Sequence, residues 1–238
     1  MKIGIIGAMD EEVKILKEKI DNLNEEVIAG CEFYTGTIEN REVILLKSGI
    51  GKVNAAMATT ILIQIYQPNY IINTGSAGGF HKELKVGDIV ISNQLRYHDV
   101  DATVFGYEYG QVPGMPASYL PDRKLVNIAQ SCGDKMEVNV VTGLITSGDS
   151  FLSDLNRVNE IKQLFPELYA AEMEATAIAQ VCSQFKLPFV VIRSLSDIAG
   201  HEAKISYDQF LETASINSAN LVLLILKELD NNEQENEC

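Results

Sequence analysis

The stretch Tyr169–Ala177, Tyr-Ala-Ala-Glu-Met-Glu-Ala-Thr-Ala, sets two carboxylates, Glu172 and Glu174, in an otherwise apolar run. Burying a carboxylate is costly unless it is paired or hydrogen-bonded. The residues before it, Ile161–Leu168, read as a helix end and turn, and those after it, Thr176–Phe185, as a helix. The acids therefore fall where a buried strand hands over to a helix, the place where open α/β sheets bind ligands. A second reading stays open at this point: Glu174 sits in a first helical turn, where the helix dipole favours an acid. Two further acids, Glu12 and Asp197, stand at strand-to-loop corners of their own and favour the site reading.

The rest of the chain alternates strand and helix. Lys2–Gly7 reads as a buried strand, and Asp10–Ile20 as an amphipathic helix with Asp10, Glu11 and Glu12 in its first turn. Gly4-Ile5-Ile6-Gly7 lacks the full Gly-x-Gly-x-x-Gly spacing, and three acids at the helix start would repel a pyrophosphate, which argues against a dinucleotide site. Glu32–Ile38 and Glu42–Lys47 predict a hairpin around Glu39-Asn40-Arg41. Ser48–Gly51 leads into a helix over Lys52–Tyr66. Tyr70–Asn73 reads as a strand ending in a glycine-rich loop, Thr74–Gly79, whose backbone can approach a ligand closely. Val86–Ser92 and Glu137–Thr146 read as strands, with helices at Asp122–Ser131 and Asp154–Phe165. Pro188–Leu195 is a strand ending in Ser196-Asp197, and Ser206-Tyr207-Asp208 caps a last helix running to about Leu229. Arg96–Tyr119 is irregular and rich in Tyr, Gly and Pro, the mark of a lid or a subunit contact. The pattern predicts one α/β domain over 1–229 with a mostly parallel or mixed sheet, and a polar tail over 230–238.

Composition narrows the function classes. A net charge of −14 argues against nucleic acid and against an anionic membrane surface. No run is expected to reach the roughly 20 residues of a membrane span, and the N-terminal apolar run is too short for a signal segment. Cys31, Cys132, Cys182 and Cys238 form no Cys-x-x-Cys pair, and read as three core fillers and a tail residue, in keeping with a reducing cytoplasm. His81, His98 and His201 show no metal-ligand spacing; His98-Asp99-Val100-Asp101 reads as a polar loop rather than a metal corner.

Gly4–Glu12, Lys47–Lys52, Asn73–Gly79, Ser147–Phe151, Ala171–Ala177 and Arg193–Asp197 together resemble the bacterial 5′-methylthioadenosine/S-adenosylhomocysteine nucleosidases, in the nucleoside phosphorylase superfamily. The resemblance runs from Met1 to about Leu229. It implies a three-layer αβα fold with a mixed central sheet, a homodimer, no metal and no organic cofactor. The implied reaction, part of methionine salvage, is hydrolysis of the N-glycosidic bond to adenine and a 5-substituted ribose; 5′-deoxyadenosine would be a further substrate. Asp197 matches the acid that protonates purine N7, Glu12 the residue that activates water, and Glu174 the one that binds the ribose hydroxyls. Glu172 and Arg193 lie beside these, with Arg193 expected to hold a carboxylate such as Glu12. Ser76 is implied to support the water, Phe151 to stack on adenine, and the Leu152 backbone to bond its edge. Ile50, Met9, Met173 and Tyr207 would line the 5′-thio pocket, with Ala8, Gly78 and Ser196 also against the substrate. Phe105 and Pro113 would come from a second copy of the chain. For each apolar residue the residues alone allow plain core packing. Tyr207 and Leu152 stand where close family members often carry Phe and Ile.

The chemistry agrees with that assignment. Cleaving C1′–N9 leaves positive charge on the ribose and negative charge on the purine, as in glycoside hydrolysis. An Asp with an ordinary pKa of about 3.9 must be shifted upward to hold a proton at neutral pH. Three other readings remain at this stage. They are a phosphate-dependent nucleoside phosphorylase, a non-catalytic nucleoside-binding protein, and a hydrolase of the same fold acting on another purine nucleoside such as a modified inosine.

Overall fold

The computed structural model describes residues 1–200 and 203–234. The apolar runs become the strands of one nine-stranded mixed sheet: β1 (Lys2–Gly7), β2 (Asp21–Ile28), β3 (Cys31–Ile38), β4 (Arg41–Lys47), β5 (Tyr70–Gly79), β6 (Ile89–Tyr97), β7 (Val140–Ser147), β8 (Leu168–Glu172) and β9 (Phe189–Ile198). Their spatial order is β2-β3-β4-β1-β5-β8-β7-β6-β9, with β5 also pairing β9. The second pairing closes β5, β8, β7, β6 and β9 into a ring, and the arm β2-β3-β4-β1 extends from it. β5 is the hinge of this arrangement: it runs parallel to β1 over Tyr70–Asn73, parallel to β9 along its length, and antiparallel to β8 at Gly78 and Gly79.

Helices cover both faces. α2 (Lys52–Tyr66) and α5 (Ala175–Phe185) pack together on one, through Ala55, Ala58, Leu62, Ile178 and Cys182. α1 (Asp10–Lys17), α3 (Arg123–Gly133) and α6 (Ala203–Gln234) cover the other, through Val13, Leu16, Leu125, Leu221, Val222 and Ile225. α4 (Leu155–Leu164) builds a smaller core with Val158, Ile161 and the adjoining Phe165. This is the three-layer αβα arrangement with a mixed central sheet.

Several boundaries differ from the sequence expectation, each for a physical reason. β2 was not anticipated, because its residues are almost all exposed and show no apolar alternation; as an edge strand it has no buried face to betray it. α1 stops at Lys17 rather than Ile20. The glycine-rich segment Thr74–Gly79 is not a loop but the second half of β5. α6 begins at Ala203, so Ser206 lies inside it, donating its hydroxyl to the Ser196 carbonyl at 3.2 Å rather than capping the helix. The helix continues to Gln234, past the expected boundary at Leu229; His201 and Cys238 lie outside the described residues.

One expectation about membranes needs correcting. The stretch Ser206–Leu229 of α6 is long and apolar enough, by length and composition, to span a bilayer. It packs instead against β9, β5, α1 and α3, burying Ala214, Ala219, Leu221, Val222, Ile225 and Leu226 completely, and is the core helix of the second layer. Cys31, Cys132 and Cys182 are buried free thiols.

Candidate active site

The ends of β1, β8 and β9 deliver four carboxylates to one place, beside β5. Glu12 follows β1, in the first turn of α1, and is 4% exposed. Its Oε2 accepts the Ala8 amide at 2.8 Å, a reach-back resembling a capping box. Its Oε1 accepts the Ser76 amide at 2.8 Å and the Ser76 hydroxyl at 3.1 Å. Ser76 thus fixes Glu12 itself. The glycine before it explains why β5 carries glycines here: a Cβ on Gly75 would lie 2.6 Å from Glu12 Oε1.

Asp197 owes its direction to a β-bulge. Ala77 on β5 pairs with Leu195 on β9, and Gly78 with Asp197, leaving Ser196 as the extra residue. Bulges re-aim side chains and recur beside active sites. The Asp197 carboxyl lies over Gly78, where a Cβ would come within 3.1 Å of Oδ2. Burial raises the Asp197 carboxyl above its ordinary range, opposed by the Ser196 hydroxyl, which donates to Oδ1 at 2.9 Å.

Glu172 and Glu174 divide their work. Glu172 ends β8 and turns away from solvent: Oε2 accepts the amides of Glu174 at 3.0 Å and Ala175 at 2.8 Å, capping α5, and the Ser147 hydroxyl donates to Oε1. Oε2 also accepts Arg193 Nη2 at 2.7 Å. Arg193 therefore holds a carboxylate, as expected, but that carboxylate is Glu172 rather than Glu12, because Arg193 rises from the middle of β9 beside the β8 terminus. Its Nη2 also donates to Asn73 Oδ1 at 2.7 Å, and it does not line the cavity. Burial works against the guanidinium, but the charges of Glu172, Glu12 and Glu174 more than offset it and hold the proton on.

Glu174 is the N-cap residue of α5, yet its carboxylate reaches across to α2. Oε1 accepts the Gly51 amide at 2.8 Å. Next along, Asp149 Oδ1 accepts the Lys52 amide at 2.8 Å, so α2 is capped by two acids from distant segments. Burial, then the charge of Glu172, pushes the Glu174 carboxyl up to about 8.

These groups line a cavity of about 490 Å³. Glu12, Ser76, Glu174, Ser196 and Asp197 all line it. Its apolar lining is Ala8, Met9, Ile50, Phe151 and Met173, together with Gly78 and Tyr207. Phe151 and Tyr207 meet edge-on, ring centroids 5.7 Å apart, and the Tyr207 hydroxyl donates to Met9 Sδ at 3.3 Å. A narrower extension past Asp197 is lined by Leu152, Phe80 and Ala199. Phe105 and Pro113 do not line the cavity within one chain; Phe105 lies on a 3₁₀ turn, Thr103–Phe105, and is largely exposed. Lys204 and Asp208, which the sequence reading passed over, also line the cavity. Their signal was available as an i, i+4 pair flanking Tyr207.

The His98–Asp101 segment forms a structural corner. His98 is fully buried with Nδ1 against the Thr146 hydroxyl at 3.1 Å, and burial pulls it down to about 4. Asp99 takes Lys52 Nζ at 2.8 and 2.7 Å. Among the described residues, no cluster of three His, Cys, Asp or Glu side chains is placed to hold a metal ion.

Residues 2–227 match the family model of the phosphorylase superfamily. The chain is similar to the 5′-methylthioadenosine/S-adenosylhomocysteine nucleosidase of Halalkalibacterium halodurans, 64% identical over 228 residues, which cover 96% of this chain and 99% of that one. It is similar to the crystal structure of the corresponding nucleosidase from Colwellia psychrerythraea in complex with adenine, at a TM-score of 0.94 and 52% identity, covering 96% of each chain. The Neisseria meningitidis nucleosidase in complex with methylthio-immucillin-A gives a TM-score of 0.94 and 46% identity, over 95% of this chain and 99% of that one. With identity of this order along nearly its whole length, the chain belongs to the phosphorylase superfamily and, within it, to the 5′-methylthioadenosine/S-adenosylhomocysteine nucleosidases.

Proposed function

We propose that the chain hydrolyses the N-glycosidic bond of 5′-methylthioadenosine and S-adenosylhomocysteine, and of 5′-deoxyadenosine, releasing adenine and the 5-substituted ribose in methionine salvage. The observation that carries this is the convergence of Glu12, Glu174 and Asp197 on one cavity, with Asp197 raised toward its protonated form. Relatives that match nearly end to end are nucleosidases of these two substrates, and one is in complex with adenine.

In this reading Phe151 stacks on the purine and the Leu152 backbone meets its edge. Asp197 donates its proton to N7 as the C1′–N9 electron pair moves into the ring. Glu174 holds the ribose 2′- and 3′-hydroxyls, and the cation developing at C1′ favours its ionised form over the protonated form that burial favours in the free protein. Glu12, immobilised by Ala8 and Ser76, takes a proton from the water that bonds to C1′. The proton lost by water and the one gained by adenine balance, so each turnover restores the free enzyme once the two acids exchange a proton with solvent.

The reading extends to assembly and place. A groove of about 850 Å³ lies between α2 and α5, lined by Val53, Met57, Val112 and Val181, with Val53 78% exposed. A second copy of the chain docked there would cover this apolar face and bring Phe105 and Pro113 toward the neighbouring cavity. One domain over 1–229 carries the whole activity, and three buried free thiols suit a reducing cytoplasm.

Incubation with 5′-methylthioadenosine in phosphate-free buffer is expected to release free adenine. Adenine release that depends strictly on added phosphate would make the protein a phosphorylase instead.

A further inference from the structure

The nucleoside cavity has a buried and an exposed part to its lining. Glu12, Glu174 and Asp197 are its buried acids, and Met9, Ile50 and Met173 are among its apolar residues. Tyr207 turns its hydroxyl onto the Met9 thioether, and on either side of it in α6 the exposed Lys204 and Asp208 bring charge to the lining. These two stand four residues apart in the opening turns of α6, so they share one face of the helix. Both are exposed, and neither has a hydrogen bond or ion pair among the described residues. Lys204 is the one cation among the described residues lining this cavity, against five acids. In a chain of net charge −14 a carboxylate approaching that mouth would be repelled without it.

We propose that Lys204 and Asp208 form a subsite for a zwitterionic α-amino acid at the end of the 5′ substituent, Lys204 taking its carboxylate and Asp208 its ammonium group. The proposal rests on the nucleosidase reading and deepens it. An adenosine whose 5′-thioether ends in an amino acid presents both charges, whereas a 5′-methylthio group is short, apolar and carries neither. A pair of opposite charges that do not bond each other is suited to a ligand carrying both, because each charge is attracted to one group and the net field is small. The subsite therefore sets preference between substrate classes through KM and leaves the chemistry at C1′ to the inner acids.

The test measures kcat/KM of the wild type, Lys204→Met, Lys204→Glu and Asp208→Asn on S-adenosylhomocysteine, 5′-methylthioadenosine and 5′-butylthioadenosine, the last being long but uncharged. For Lys204→Met and Asp208→Asn the ratio of S-adenosylhomocysteine to 5′-butylthioadenosine is expected to fall about fivefold, through KM, the scale of an exposed ion pair. Lys204→Glu should lower it further, and added salt should lower it in the wild type. A ratio unmoved in all three variants, or a parallel loss on the two long substrates, overturns the subsite. Wild-type protein that releases adenine from none of the three overturns the nucleosidase reading and the subsite with it; turnover with an unmoved ratio overturns the subsite alone.

Discussion

Arg193 and Glu172 form an ion pair at 2.7 Å with both side chains withdrawn from solvent, Glu172 in the cavity wall and Arg193 behind it. Neither charge is free to react, yet the pair sets the field in which Glu174 works. Breaking a buried pair by removing one partner leaves the other charge uncompensated, at a cost of about 3–5 kcal/mol.

Arg193→Met is therefore expected to lower Tm by about 6–20 °C at neutral pH, taking about 2–4 °C per kcal/mol for a chain of this size. Thermal melting followed by circular dichroism measures it. A melt within a degree of wild type would show that Glu172 can shed its charge without penalty.

Asp197→Asn retains the shape of the carboxyl but cannot supply the proton that the proposed mechanism delivers to N7. Its kcat is expected to fall about 10²–10⁴-fold. Folding should not suffer, since the bulge that aims Asp197 is made by backbone. Adenine release under single-turnover conditions reads the chemical step directly, and Glu12→Gln should fall into the same range. Retention of wild-type rates by both variants contradicts the mechanism.

Glu174 links stability to pH in a direction opposite to most carboxylates. Its folded pKa, about 8, lies above its unfolded value, so its contribution is fully present in acid and is lost as pH rises through about 8. Glu174→Gln removes that loss. In the unliganded protein the variant is expected to melt about 2–8 °C higher than wild type at pH 8, with little difference near pH 4. Activity should fall all the same on the proposed mechanism, because glutamine cannot ionise in response to the charge developing at C1′. A variant that melts below wild type at pH 8 would show that the carboxylate, rather than the carboxylic acid, holds α2 in place.

Gly75→Ala tests the close approach of backbone to Glu12, the acid proposed to activate water. The added methyl would sit 2.6 Å from Glu12 Oε1 and must displace it. Misplacing a reacting group by about 1 Å costs on the order of 10²-fold. kcat is expected to drop by about that factor, with KM for 5′-methylthioadenosine little changed. An unaffected kcat would mean that Glu12 does not act from the position it occupies here.

The site was legible in the sequence where acids interrupt apolar runs. Glu12 and Glu174 each follow a strand and Asp197 lies near the end of one, and burial makes a carboxylate at such a place conspicuous. What could not be read was which charge meets which. Arg193 faces Glu172 because of the order of β8 and β9 around the ring, and strand order is a long-range property absent from local pattern. The glycines of β5 looked like a loop for a related reason. They are extended backbone stripped of side chains to admit two carboxyl groups from elsewhere, and nothing near Gly75 or Gly78 in the chain announces that. β2 escaped notice because an exposed edge carries no apolar stripe.

The 2.8 Å contact between Glu174 and the Gly51 amide has a mechanical side. The same helix, α2, presents Val53 and Met57 outward in its first two turns. The proposed docking of a second copy on that face would therefore press on the helix start that Glu174 holds, so that assembly and sugar binding would share one support.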